Sequence, residues 1–376
     1  MTHSFFALQK NMESSFEVHF GSIEDPRTGN ATRHLLSDLI GLVVIAILCR
    51  AEGWEEIEEF GKAKEPFLRK VLCLSNGIPS HDTLERVFKR LSPKHLEECF
   101  RSWVAGLGFE HEHISLDGKS LRGSGDGYSG KTMVHMVSAW ASGAGISLGQ
   151  ETVDCKENEH KAMLRILDML DLCGCLVTID AMGNQRKIAE KIIAGEGDYL
   201  TGLKDNQPTI LEETEALFNS IGPESSHTEY DKGHGRIEKR TCHVIYQVDM
   251  LDPLHDWPGL KALVKVESEI SKGDKKSTQN RFYLSSKHAT AREFNTAARN
   301  HWSIENSQHW ILDVQFHEDL CRKRKDNAAE NFAILRRLAL NILNQDKTPR
   351  LSTNRKRMKA SWDENYLIKL LGFLKS

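Results

Sequence analysis

Cys175-Leu176-Val177-Thr178-Ile179-Asp180 is almost wholly apolar and ends on a carboxylate. A short run without polar alternation reads as a β-strand buried on both faces. Such a strand needs a cover on each side, which commits this part of the chain to a sheet between layers of helices. Tyr199-Leu200-Thr201-Gly202-Leu203-Lys204 is a second strand of the same kind. Asn158–Leu170 and Asn184–Ile193 carry apolar residues at helical spacing and supply cover. Upstream, His113–Asp117 alternates like a strand that Gly118 ends, and Val134–Trp140 and Ile146–Val153 come after it. Gly143 and Gly145 lie between the last two and mark a hairpin. Three antiparallel strands, then helix, strand, helix, strand, define an α/β layered sheet.

At 376 residues the chain has room for two domains, or for one large domain with an insertion. Residues 1–110 read as a helical module. Leu35–Arg50 is a strongly apolar helix, a second starts at Trp54, Ser80 or Asp82 caps a third, and Ser92-Pro93 opens a fourth. The sheet and its helices occupy 111–345. Within them, about 205–288 reads as a β-rich insertion, with a helix near Ile210–Phe218, β-like runs at 241–248 and 262–269, and a strand at Arg281–Ser285. Ala328–Asn344 is a strong apolar helix, and 346–376 is a basic tail suited to nonspecific backbone contact, or simply solvated.

Hydrophobic residues make up 39% and charged residues 27%, as in an ordinary globular protein. A net charge of −3 announces no global basic field, so any nucleic-acid contact must come from local placement of the 50 Lys and Arg. The eight cysteines are scattered; Cys173 and Cys175, the closest pair, make a poor zinc or redox signature, and reduced core thiols are the simpler reading. Residues 39–49 are apolar but too short to span a bilayer, and no export signal opens the chain, so no membrane is expected and the cytoplasm is the expected compartment.

The stretch Ala289–Val314 reads as one helix on which His301, Glu305, His309 and Asp313 recur every four residues as a polar stripe. That stripe is either a solvated face or a set of ligands. Two further carboxylates fall at strand ends: Asp117 before a glycine, and Asp180. Alone, each has a plain reading, as an Asp-Gly turn residue or a cap. Together, buried acids beside apolar strands call for compensation by a divalent cation. Three carboxylates from separate elements suit Mg²⁺ or Mn²⁺, hard ions that take a substrate's phosphate oxygens as remaining ligands.

Several segments resemble the DDE-type insertion-sequence transposases, in the group that includes the H-repeat-associated proteins. They are Ile114-Ser-Leu-Asp117-Gly-Lys-Ser-Leu-Arg-Gly-Ser124, Leu176-Val-Thr-Ile-Asp180-Ala-Met-Gly183, Leu203-Lys204-Asp-Asn206-Gln207 and His301-Trp-Ser-Ile-Glu305-Asn306. Ala51–Ile57, Gly233–Glu238 and Asn331–Arg337 add to them, so the resemblance runs from about Ile23 to Asn344. It implies a ribonuclease-H-like mixed sheet flanked by helices, an N-terminal transposase-associated helical domain, and a β-rich insertion before the third acid. It implies that Asp117, Asp180 and Glu305 are catalytic and bind two Mg²⁺ (or Mn²⁺) ions. One ion would activate the attacking water and the other the leaving 3′-oxygen at the ends of the element; the freed 3′-OH would then attack target DNA. Related groups carry Tyr-x2-Arg-x3-Glu-x6-Lys round the last acid. Here those positions hold Ala298, His301, Glu305 and Leu312, so only the glutamate is shared.

His301, His309 and Asp313 are expected to support the triad from behind. Lys119, Arg122, Lys204, Asn206 and Gln207, just past strand ends, are placed for DNA phosphates, with solvated loops as the other reading. His234 and Arg236, in a glycine-flanked loop, are placed for DNA or form a plain turn. The expected partner is double-stranded DNA, the element's terminal repeats and the target, with a homodimer in a synaptic complex and a nucleoid-associated location. Two further readings stay open: a decayed or domesticated transposase that only binds DNA, and a host nuclease.

Overall fold

The computed structural model describes residues 18–29, 32–109, 112–128, 130–153, 159–233, 235–248, 257–273, 275–347 and 350–375. Four helices lead: α1 (Leu36–Leu48), α2 (Trp54–Leu68), α3 (His81–Phe88) and α4 (Pro93–Gly106). Every residue of α1 from Asp38 onward is buried, as expected of a helix apolar on all sides. The Ser80 hydroxyl accepts from Thr83 N and caps α3, while Ser92, with Pro93 behind it, caps α4. These helices share one apolar core with the rest of the chain, running from Leu39 through Val137 to Leu340.

Nine strands form one sheet: β1 (His113–Leu121), β2 (Val134–Ala141), β3 (Ile146–Val153), β4 (Leu176–Ile179), β5 (Asp198–Leu203), β6 (Ser225–Gly233), β7 (Arg236–Ile245), β8 (Ala262–Lys272) and β9 (Lys275–Ser285). Their order is β3-β2-β1-β4-β5-β9-β8-β7-β6. β1, β4 and β5 are mutually parallel, and every other pairing is antiparallel. α5 (Glu159–Leu167) leads from β3 towards β4, and α6 (Arg186–Ala194) from β4 to β5. Gly118 does not end β1, because pairing with β2 continues to Leu121 opposite Val134.

After α7 (Pro208–Ser220), the strands of the β-rich stretch continue the central sheet, since β9 pairs with β5 through Leu284–Thr201 and Phe282–Leu203. β6 has no apolar run to betray it; it is the outermost strand and alternates between half-buried and exposed positions.

The helix expected over 289–314 is interrupted. α8 (Ala291–His301) gives way to a π-helical turn at Glu305–His309 and then to α9 (Trp310–Gln315). A π-turn inserts an extra residue into the helical repeat and rotates the next turns about the axis. The four-residue stripe is therefore split: His301 and His309 are buried, and Glu305 is exposed.

α10 (Ala328–Gln345) is buried along almost its whole length and packs on α1, α4 and β3. The segment expected as a basic tail instead folds into α11 (Thr353–Trp362) and α12 (Glu364–Gly372). Two of its cations turn inward. Lys356 Nζ donates to the carbonyls of Leu343 and Asp346, and Arg357 donates to the Ile47 carbonyl and pairs with Glu52 at 2.6 Å. Both side chains hold carbonyls in the last turns of α1 and α10 or just past them, which removes them from DNA contact.

One buried acid joins the helices to the sheet. Glu97 on α4 accepts from Gln150 N of β3 at 2.8 Å, and burial pushes its carboxyl up to about 8. A carboxyl raised in the folded state stabilises below its unfolded value near 4.5 and loses that contribution as pH climbs through 8. Stability to denaturant is expected to fall by on the order of 5 kcal/mol between those limits. Glu97→Gln, which keeps the acceptor for Gln150, is expected to flatten that profile; an unchanged slope in urea titrations across pH 5–8 would contradict it.

Candidate metal centre

The carboxyl end of β4 lies beside the middle of β1. Leu116 pairs with Ile179 in parallel register, so the next residues, Asp117 and Asp180, are neighbours at the sheet edge. β1 runs on past this point and β4 stops, so Asp180 begins a loop. Its carboxylate accepts from Met182 N and Gly183 N at 3.1 and 3.3 Å and caps a 3-10 turn at Ala181–Gly183. Two glycines fit closely here: a Cβ on Gly183 would lie 2.3 Å from Ile179 Cγ2, and one on Gly202 of β5, against the turn, would lie 3.0 Å from Ala181 N.

Glu305 arrives from the other side of the chain on the π-turn. His309 Nδ1 lies 3.2 Å from Glu305 Oε2 and 3.4 Å from Asp117 Oδ2. Asp117, Glu305 and His309 each offer a ligand atom, and these atoms lie within 4.8 Å of one another. The sequence places His309 behind the acids; in the fold it stands between two of them. Asp180 is outside that tightest group and beside it.

The electrostatics are those of a crowded acidic site. Burial pushes the Asp180 carboxyl above its ordinary range, and the charges of Asp117 and Glu159 add to the effect. Burial opposes protonation of His309, but its hydrogen bonds with Asp117 and Glu305 outweigh it and raise the imidazole. The same contact holds Glu305 below its ordinary range. His309 Nε2 is buried with no hydrogen-bond partner among the described residues. Hard oxygen donors beside an imidazole fit a divalent cation, and among the described residues the group that could hold one is Asp117, Glu305 and His309.

The remaining expected residues divide. His301 does not reach the acids; it is buried under them, its Nδ1 3.1 Å from Thr178 Oγ1, and burial lowers its pKa. His113 Nε2 approaches the same hydroxyl at 2.9 Å, and burial drives that imidazole down to about 4. Asp313 pairs with Lys119, and Lys119 also pairs with Glu318 at 2.8 Å. Lys119 is thus buried and committed to two carboxylates, which corrects its expected role at phosphates. Arg122 is exposed beside Asp319, and Lys204 is exposed. Asn206 Nδ2 donates to the Ala181 carbonyl at 2.7 Å and Gln207 Nε2 to that of Asn184 at 3.3 Å, so both brace the loop that carries Asp180. Arg236 is exposed far along the arm of β6–β9, and His234 lies outside the described residues.

Sequence reasoning missed Glu159, in the first turn of α5. Its Oε2 lies 3.0 Å from His135 Nε2, and His135 Nδ1 lies 2.9 Å from Ser120 Oγ. A Cβ on Gly118 would lie 2.2 Å from Glu159 Oε1, so the glycine after Asp117 is the space this carboxylate uses. The only local signal was an acid opening the helix after β3. Glu159 and His135 line a groove of about 820 Å³ that reaches Met182, Gln185 and Asn206 on the Asp180 loop.

Fold and site together define an α/β protein with a candidate divalent-cation centre at the carboxyl edge of its parallel strands. Comparison with known proteins supplies the family. Residues 108–342 match the family described as Transposase DDE domain, and residues 18–104 match the one described as DDE_Tnp_1-associated. The chain is 40% identical to the "H repeat-associated putative transposase YhhI" of Escherichia coli strain K12, covering 97% of this chain and 98% of that one. It is 37% identical to the "Putative transposase YncI" of Escherichia coli O157:H7, over 93% and 92%. The chain belongs to the DDE transposase family. A solved piggyBac transposase synaptic complex with hairpin DNA is similar at 12% identity and a TM-score of 0.44, over 97% of this chain and 77% of that one. Among the described residues, no helix is long and apolar enough to cross a membrane.

Proposed function

We propose that this chain is a DNA transposase that performs metal-dependent strand cleavage and strand transfer at the ends of an insertion sequence. The observation that carries the reading is the meeting of Asp117 and Glu305, far apart in sequence, on His309 within 4.8 Å and beside Asp180. The strand order β3-β2-β1-β4-β5 supports a ribonuclease-H-like core. Asp117, Asp180 and Glu305 are the catalytic carboxylates and hold Mg²⁺ or Mn²⁺. Bound, such ions polarise the phosphodiester and lower the pKa of water. The chain's part is to keep its acids converged: β1 and β4 by register, the Asp180 loop through Asn206 and Gln207, and Glu305 through His309. Arg122 and Lys204 remain exposed at this edge for phosphate contact. The partner is double-stranded DNA at the element ends and the target, engaged by a homodimer in the cytoplasm.

The test is a plasmid carrying this coding sequence with its native flanks, incubated with the purified chain and Mg²⁺. Nicks at the element boundaries and joined products are expected; binding without either would leave a DNA-binding protein, and nicking without joining a nuclease. Ion binding is checked separately. Mn²⁺ at about 100 times its Kd is expected to stabilise the protein by about 2.7 kcal/mol. Asp117→Asn is expected to remove that increment, and an equal increment in the variant would show that the ion binds elsewhere.

A further inference from the structure

The outer four strands overrun the edge that carries the acids. β5 ends at Leu203, opposite Phe282, yet β9 begins at Lys275. Because β9 is antiparallel to β5, its residues 275–281 and the paired lengths of β6, β7 and β8 project beyond β5 on its carboxyl side. At about 3.4 Å per residue, the overhang is roughly 24 Å. β6 and β8 run outward and β7 and β9 return, so both hairpin turns of this arm lie at its free end.

That end is a concentration of cations. Gly233 pairs with Arg236, and Lys272 with Lys275. Ile237 pairs with Ser271, which sets Arg236 beside Lys272. Arg236, Lys272 and Lys275 therefore occupy adjoining places in one row, on one face of three strands. Lys232 and Lys276 lie one register step away, where alternation sends them to the other face. All five are exposed. Like charges directly opposite one another destabilise a hairpin, and nearby carboxylates would normally answer them. The ion pairs nearest to them lie two and three register steps in from the tip, at Arg299–Asp231 and Lys239–Glu269. Among the described residues, none of the five cations has a carboxylate at ion-pair distance. A chain of net charge −3 that gathers five exposed cations at the end of a projecting arm, with no carboxylate partner among the described residues, carries a local site for a polyanion.

Resting on the DNA-processing reading above, we propose that the free end of the β6–β9 arm is a phosphate-binding site for double-stranded DNA. It grips the duplex on the side where the arm overhangs β5, beyond the sheet edge that carries Asp117 and Asp180. Arg236, Lys272 and Lys275 make the contacts to one strand's backbone and read no sequence.

The test uses the full chain and a labelled 60-base-pair duplex of arbitrary sequence, with affinity measured by fluorescence anisotropy over a salt series. For the triple variant Arg236→Ser, Lys272→Ser, Lys275→Ser, the slope of log affinity against log salt is expected to shrink by about 2–3, near 0.9 per lost phosphate contact. Affinity at low salt is expected to fall on the order of a hundredfold. The double variant Lys272→Arg, Lys275→Arg is expected to bind like the wild type, and melting temperature to hold or rise in the triple variant because only repulsion is removed. If the wild type binds and the triple variant keeps its slope, the arm proposal is overturned while the DNA-processing reading stands. If the wild type binds no duplex at any salt concentration, both fall together.

Discussion

Asp117→Asn, Asp180→Asn and Glu305→Gln are each expected to lower the rate of Mg²⁺-dependent nicking at the element ends by at least ~10³-fold, with end binding retained. The size comes from the several kcal/mol of charge stabilisation that a bound ion gives a phosphoryl-transfer transition state, at about 1.36 kcal/mol per tenfold. The amide variants are chosen because they preserve local geometry. An asparagine at 180 still offers an oxygen to Met182 N and Gly183 N, and one at 117 still accepts from Gly118 N. Loss of activity in a folded variant then reports on charge, not on the loop. His309→Gln is the informative companion: it removes the imidazole that lies between Asp117 and Glu305, and leaves the carboxylates. Nicking by all three amide variants at the wild-type rate in a gel assay would sink the catalytic assignment.

Glu318→Ala is expected to destabilise the protein by about 3–5 kcal/mol, the penalty for leaving buried charge without its partner. Glu318 is 1% exposed and pairs with Arg337 at 3.0 Å and Lys119 at 2.8 Å, and both cations are buried. Burial alone would raise its carboxyl, but Arg337 and Lys119 overcome that and hold it near 2. A depressed carboxyl stabilises above its unfolded value near 4.5, and the contribution drains away as pH falls towards 2. Wild-type stability should therefore drop over that acid range, and the variant's should drop less. Lys119 also holds Asp313 on α9, the helix that continues from the π-turn, so the network ties the carrier of Glu305 to β1 and α10. Denaturant midpoints for Glu318→Ala and Glu318→Gln decide the matter; midpoints matching the wild type would show that the network carries no net stability.

Much of this molecule is readable from local pattern alone. The apolar run at 176–179, the helices at 36–48 and 93–106 and the hairpin of β2 and β3 all arise from period and capping, which are local properties. The approach of Asp117 to Asp180 is foreshadowed only in part: Asp180 follows the end of an apolar strand, but Asp117 lies inside β1, which runs on to Leu121. β6 is not legible: an outermost strand half open to solvent has no apolar signature. The β-rich stretch is recognisable, but not its membership in the central sheet, because a strand's neighbour is chosen by the side chains it meets across space.

Sequence by itself determined the layered α/β class, because a strand buried on both faces leaves its mark in a short window. It also offered Asp117, Asp180 and Glu305 as candidate acids, at strand ends and on a helical stripe. Tertiary structure alone decided the fate of individual charges. Lys119 and Arg357 look as available for DNA as Lys275, yet they turn inward to carboxylates brought from distant parts of the chain. The reason is that hydrophobic periodicity is summed over neighbours along the chain, whereas the cost of a buried charge is settled by one partner whose arrival depends on the whole fold.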